Sequence, residues 1–470
     1  MHQRNESLDA LRGFAILTMV LSGSIAFNGI LPAWMYHAQV PPPLHKFDPT
    51  IPGITWVDLV FPFFLFSMGA AIPLSLHKHI TAGKGFAFVL QLALKRFALL
   101  AFFALFTQHM KAWVLADEPQ QQDHMLSIFA FLLLCFQFYE YRDETKKRFY
   151  LVVKLLAFMI AFILLWSLPF KSGKGFDFYK SDIILMVLAN MACFGTIAWY
   201  ATKDKPLLRI GLLPFIIAVF LSAKETEISW TKIIFEWKQI GSLSFDWLYK
   251  FYFLKYLFII LPGTFAGEWM MQYTSDDKKG QLLSKAQENI LALLSCFLLL
   301  FNLYALFTRQ LFLNLILSCI STGLILYLLR ALPSQHIYQR FAKAGSYLLL
   351  LGLFFEAYEG GIKKDPSTYS YYFVTAGLAF YMLLLFTVMS KRKYFDSLVY
   401  YFSANGKNPM VAYVAGNLLL LPLLHLTKTK QYLDMLQSNA WMGFLKGIVF
   451  TGIVSVITLF FVKRKWYWKT

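Results

Sequence analysis

Trp56-Val-Asp-Leu-Val-Phe-Pro-Phe-Phe-Leu-Phe-Ser-Met-Gly-Ala-Ala-Ile-Pro-Leu-Ser-Leu76 is the stretch that decides the fold class. Its one charged residue, Asp58, sits at its start. A helix needs about 20 mostly apolar residues to cross the hydrocarbon core of a bilayer, and this run supplies them. Working outward, similar runs occur near 10–27, 97–114, 125–140, 150–168, 183–201, 207–223, 251–272, 287–306, 308–330, 345–361, 370–390, 409–426 and 440–462. The spacing predicts a single all-α polytopic membrane domain over residues 1–470, with about fourteen transmembrane helices (range 11–14).

Composition agrees. Hydrophobic residues make up 58% of the 470, aromatics 18% and charged residues 15%, and mean hydropathy is +0.54. Soluble domains carry roughly 25% charge. A soluble enzyme, a secreted disulfide scaffold and a disordered chain are therefore excluded. Arg4 precedes the first apolar run, but Asp9 and Arg12 interrupt its start and no A-x-A site follows. That run is expected to stay as a helix, with Ser7 as its N-cap and Asp9 in its first turn. Cys135, Cys193, Cys296 and Cys319 lie in apolar runs without metal-ligand spacing and read as core residues.

The net charge of +18 comes from short basic clusters between the apolar runs. These read as positive-inside loops rather than as a nucleic-acid surface. Arg142 to Arg148, Lys203 with Lys205, Lys278 with Lys279, Lys391 to Lys393 and Lys463 to Lys465 then face inward. The acidic, Gln-rich stretch Asp117 to Asp123 faces outward, and both termini lie inside. Two outer segments stand apart. Residues 28–54 include Pro41, Pro42, Pro43, Pro49 and Pro52, which stiffen the loop. Residues 224–250 place Trp230, Ile233, Ile234, Trp237 and Ile240 among charges, the pattern of a segment lying on a membrane surface.

Polar groups at membrane depth are costly and therefore nominate sites. Five histidines fall on the outer side: His37, His45, His109, His124 and His425. The first two lie in the Pro-rich loop, just ahead of Asp58. Two readings of Asp58 stay open: it complements the positive end of its helix, or it orients and charges a nearby imidazole. Glu268, and Glu356 with Glu359, are further candidates. At the inner side, Asn405-Gly-Lys407-Asn408-Pro409 turns into a helix whose N-terminus would favour an anion such as phosphate, or is simply a cap. P-loop, HExxH, GxSxG and CxxC motifs are absent from the sequence.

Several segments resemble one family, the transmembrane acyltransferases typified by lysosomal heparan-α-glucosaminide N-acetyltransferase, whose bacterial relatives are often labelled N-acetylglucosamine-related transporters. Ser7-Leu-Asp9-Ala-Leu-Arg12-Gly13 resembles the family's S-x-D-x-x-R-G segment. Gly53 to Gly69 is similar to its G-x-T-x-x-D-L-V-F-P-x-F-x-F-x-x-G signature. Lys363-Lys-Asp-Pro-Ser-Thr-Tyr-Ser370-Tyr resembles its N-K-N-x-W-x-x-S-Y turn, and Gly406-Lys-Asn408-Pro-Met-Val-Ala-Tyr413-Val its G-x-N-x-x-x-x-Y-V segment. Lys463 to Lys469 is similar to its basic-aromatic tail. The stretch from about 110 to 255 matches poorly. The helix pairs near 183–223 and within 287–330 look additional.

The resemblance implies transfer of an acetyl group from cytosolic acetyl-CoA, as co-substrate, to an amino sugar or sugar hydroxyl across the membrane. The family's active histidine begins an H-A-x-W-N-G-x-T-x-x-D string. His37-Ala38 matches its start and Gly53-Ile-Thr-x-x-Asp58 its end, which makes His37 the first candidate and His45 its rival. The family's Asn in the first helix falls near Gly23, with Ser22, Ser24 or Asn28 as stand-ins. Lys407, Asn408, Asn405 and Arg12 are the expected holders of the CoA phosphates, and no metal is expected. The expected partners are acyl-CoA, a glycan acceptor, membrane lipid and a second copy of the chain, with no nucleic acid. The expected location is a bacterial inner membrane. The alternative is a transporter of amino sugars. It would need paired broken helices, and Pro262-Gly263 is a break without a counterpart.

Overall fold

A computed structural model describes residues 5–141, 144–225, 230–237, 239–273 and 283–470. Arg142, Lys278 and Lys279 of the basic clusters lie outside the described residues. Fifteen long helices follow one another: α1 Glu6–Ser22, α2 Trp56–Thr81, α3 Phe86–His109, α4 Gln121–Phe138, α5 Lys147–Ser167, α6 Ile183–Thr202, α7 Pro206–Glu225 and α8 Leu257–Gln272. Then come α9 Lys285–Phe307, α10 Leu311–Leu329, α11 Ile337–Glu359, α12 Tyr369–Met389, α13 Asp396–Gly406, α14 Pro409–Leu426 and α15 Ala440–Lys463. Among the described residues, 10 helices are long and apolar enough to cross a membrane, which marks the chain as a membrane protein.

Every predicted run falls on a helix, with shifted ends. The run at 97–114 is a helix that starts at Phe86 and stops at His109. Lys95 and Arg96, which precede that run, lie within the helix, since a helix tolerates long basic side chains whose stems lie along apolar surface. The first helix is capped by Asn5, whose side chain accepts from the N–H groups of Ser7 and Leu8 at 3.1 and 3.2 Å. Ser7, the expected cap, lies inside the helix. Of the surface-lying segment, Trp230–Glu236 forms a short helix, with Trp230, Ile233, Ile234 and Trp237 exposed.

Helix α12 is apolar on all sides and buried along almost its whole length, as a central helix must be. It packs on α11, while α1 packs on α13, α2 on α8, and α3 on α6. Two of these contacts depend on missing side chains. A Cβ on Gly263 or Gly267 of α8 would lie 2.4 or 2.1 Å from the carbonyl oxygens of Phe66 or Ala70 in α2. Without an aqueous hydrophobic effect between helices, such backbone approach supplies the packing. Likewise a Cβ on Gly406 would meet the Asp9 carbonyl oxygen at 1.9 Å, so α13 lies directly on α1.

Helix α2 contains Pro62. Proline has no N–H, so the carbonyl four residues back, that of Asp58, loses its intrahelical partner. The Tyr371 hydroxyl donates to that oxygen at 2.9 Å. The helix that carries Asp58 is thereby tied to the central helix.

Candidate active site

Asp58 is fully buried. Its Oδ2 accepts from the Thr55 N–H at 2.9 Å and from the Ala38 N–H at 3.3 Å. The first bond closes the helix N-terminus, so the capping reading holds. The second ties the Pro-rich loop to the helix. Oδ1 is turned elsewhere. It lies 3.1 Å from Nδ1 of His37 and 3.8 Å from Nζ of Lys364, and it has no aligned hydrogen-bond donor. The capping reading is seen on Oδ2, while Oδ1 faces the His37 imidazole without an aligned hydrogen bond to it.

The loop holds its place through Gln39, which is buried and exchanges two hydrogen bonds with the backbone of Asp365. The Gly53 N–H donates to the Ile362 carbonyl at 2.7 Å. These contacts bring the 363–371 turn, singled out in the sequence without a role, against the histidine loop, and so deliver Lys364.

Burial lowers the His37 imidazole, because removing water disfavours the charged ring. Asp58 pulls it up and Lys364 pushes it down, leaving it at about 4. At neutral pH the ring is uncharged and able to accept a proton. Burial also lowers the Lys364 ammonium, against the upward pull of Asp58 and Asp365. His45 is placed differently. Its ring packs edge-on against Tyr36 and Phe27, with centroids 4.5 and 5.4 Å away, and neither ring nitrogen has a hydrogen-bond partner. The carboxylate therefore faces His37 rather than its rival.

The other polar candidates serve the fold. His109 is buried, with Nδ1 at 2.8 Å from the Leu105 carbonyl. Glu268 pairs with Arg209 at 2.8 Å and Glu356 with Arg309 at 2.6 Å. Glu359 accepts from the N–H groups of Tyr369 and Ser370 at the start of α12.

Three cavities follow one another beside α1. The first, about 350 Å³, is lined by Arg12, Arg96, Lys407 and Lys469 against the carboxylate of Glu140, a net positive wall. The second, about 520 Å³, lies toward the histidine loop and is lined by Gly23, Asn28 and Asp434 among others. Between them is an apolar gap of about 30 Å³. It shares Phe64 and Met410 with the basic cavity, and Met19 and Tyr413 with the loop-side one. At 1.5 Å per residue, Arg12 and Gly23 are about 16 Å apart along α1.

The structure brings Arg12 and Lys407 together in the basic cavity, but not their two expected companions. Asn408 is buried and holds the C-terminal tail, donating to the Trp466 carbonyl at 2.8 Å and accepting from the Trp468 N–H at 3.2 Å. Asn405 is buried and donates to Tyr401 and Ser455. Neither lines the cavity, so both are corrected to structural roles. Arg96 and Lys469, which sequence reasoning missed, take their places. His37 lines none of these three cavities. Phe27 does line the loop-side one, and its ring lies 5.3 Å from that of Tyr36, the residue before His37.

A family model described as a domain of unknown function (DUF5009) matches residues 4–270, more than half of the chain. The chain belongs to that family. No curated protein matches it. The DUF5009 match takes in α1, the histidine loop and Asp58, and stops before Lys364 and Lys407.

Proposed function

We propose that this DUF5009 protein is a membrane-bound acyltransferase that moves an acetyl group from cytosolic acetyl-CoA to an amino sugar or sugar hydroxyl on the far side of the membrane. The observation that carries this reading is His37: an uncharged imidazole 3.1 Å from a fully buried carboxylate, with an ammonium beside it.

His37 takes the proton of the acceptor O–H or N–H as that atom attacks the thioester carbonyl carbon. The C–S bond breaks, CoA leaves as the thiolate, and the proton passes from the imidazolium to sulfur. Asp58 stabilises the imidazolium while it exists. The net positive wall around Arg12 and Lys407 suits the CoA phosphates. The apolar gap suits the pantetheine arm, with flexible Met19 and Met410 as its adjustable walls. Transfer requires the histidine loop, which meets the loop-side cavity through the Phe27–Tyr36 ring contact, to open His37 onto that cavity.

The same reading uses all fourteen predicted crossings, both termini inside, and a bacterial inner membrane. Its test is purified protein with radiolabelled acetyl-CoA and a panel of sugars. Labelled sugar made by the wild type and lost in His37→Ala supports acyl transfer. Sugar flux across vesicles without any acyl donor supports transport instead.

A further inference from the structure

The loop-side cavity of about 520 Å³ falls within the size range of small-molecule sites, about 300–1,000 Å³. Two features of its wall bear on what it holds. The first is Asn417. Helix α14 widens into a π turn over Gly416–Leu420, an arrangement that often marks functional sites. The turn sets Asn417 on the cavity wall. Its side chain makes no hydrogen bond among the described residues, leaving an amide with both donor and acceptor capacity for a ligand.

The second feature is the charge of the rim. Asp434 accepts from Lys430 at 2.6 Å, Lys446 at 3.2 Å and Gln437 at 3.2 Å. Burial alone would raise its carboxyl, but the two lysines hold it below the usual carboxylate range, so it is charged. Asp182 accepts from the hydroxyl of Tyr413, a wall residue, at 2.8 Å and lies 3.8 Å from the Lys111 ammonium. The rim therefore sets two ammonium groups against one carboxylate whose donors are already in place. A ligand ammonium would meet like charge there.

We propose that this cavity is the acceptor site and that it takes a neutral or acidic sugar in preference to a cationic one, with Asn417 as a contact to ligand hydroxyls. The word acceptor rests on the transfer reading, but the site and its charge preference do not. Under that reading the acyl group goes to a sugar hydroxyl rather than to a free amine.

The test is equilibrium binding to the full chain in nanodiscs, without acyl donor, using tritiated N-acetylglucosamine, glucose, glucuronate and glucosamine. At least one neutral or acidic sugar is expected to bind tenfold or more tightly than glucosamine. Asn417→Ala should weaken that sugar at least tenfold, and Lys446→Gln should narrow the preference. Gly23→Leu is a second probe that spares the fold. A Cβ at Gly23 meets nothing closer than carbonyl oxygens at 3.8 and 3.9 Å, so the side chain can enter the cavity and should block binding. Glucosamine binding most tightly, no sugar binding, or binding indifferent to both Asn417→Ala and Gly23→Leu would overturn the proposal. Sugar binding that follows this pattern in a protein that transfers no acetyl group would overturn the transfer reading and leave the site standing.

Discussion

Replacing Asp58 by Asn separates the two jobs of one carboxylate. An amide oxygen in the place of Oδ2 still accepts from the Thr55 and Ala38 N–H groups, so the helix start and the loop anchor survive. The amide nitrogen then replaces Oδ1. It points a donor at the Lys364 ammonium and removes the carboxylate beside His37. At 3.8 Å and an effective dielectric of about 20, the lost attraction to Lys364 is about 4 kcal/mol. Leaving one partner of a buried pair uncompensated costs roughly 3–5 kcal/mol. Asp58→Asn should therefore lower the thermal unfolding midpoint in detergent clearly. The double variant Asp58→Asn with Lys364→Met removes the stranded charge and should recover at least half of that loss. Transfer should stay low in both, down about a hundred- to ten-thousand-fold, because His37 lacks its partner in each. If the double variant is no more stable than the single one, the ion pair is not what holds these groups. If transfer survives either change, Asp58 does not serve the histidine.

Three further outcomes follow from the same geometry. His37→Ala should cut transfer by about a hundred- to ten-thousand-fold, whereas His45→Ala, whose ring only packs on Tyr36 and Phe27, should stay within a few-fold in the same assay. A base at about 4 is uncharged above that pH, so turnover should hold level from pH 8 to about 5 and fall as pH drops through 4. In Lys364→Met, with the depressing ammonium gone, the fall should begin at higher pH. Arg12→Ala and Lys407→Ala should each raise the KM for acetyl-CoA about tenfold, measured from initial rates, with the wild type losing affinity as salt is added.

Much of the fold was legible because apolar runs of spanning length have few alternatives. What the sequence hid was mostly polar residues inside helices. The apolar runs begin only after Lys95 with Arg96, and after Arg340 with Lys343. In fact α3 starts at Phe86 and α11 at Ile337, carrying those side chains along. Helix α13 went unread because its 11 residues are too short for a span and its inward face is made of Val399, Ser403 and Gly406 rather than a run of large apolar groups.

At the site, His37 and Asp58 were readable because they lie close in sequence on either side of one stiff loop. Lys364 was not, since more than 300 residues separate it from Asp58 and the two are joined by tertiary contacts such as Gln39–Asp365 and Gly53–Ile362. Asn405 and Asn408 looked like anion holders from the sequence of a turn before a helix. The same chemistry serves equally well to hold the C-terminal tail, as Asn408 does, or a neighbouring helix, as Asn405 does, and residue order alone does not distinguish these uses. The basic wall of the first cavity comes from α1, α3, the turn between α13 and α14, and the tail, which no local pattern links.

The most direct test uses proteoliposomes with acetyl-CoA confined to the face bearing Lys407 and sugar confined to the face bearing His37. The account predicts labelled acetyl-sugar in the sugar compartment alone, made at a rate that collapses in His37→Ala. Unmodified sugar crossing without acetyl-CoA, or acetyl transfer indifferent to His37, would contradict it.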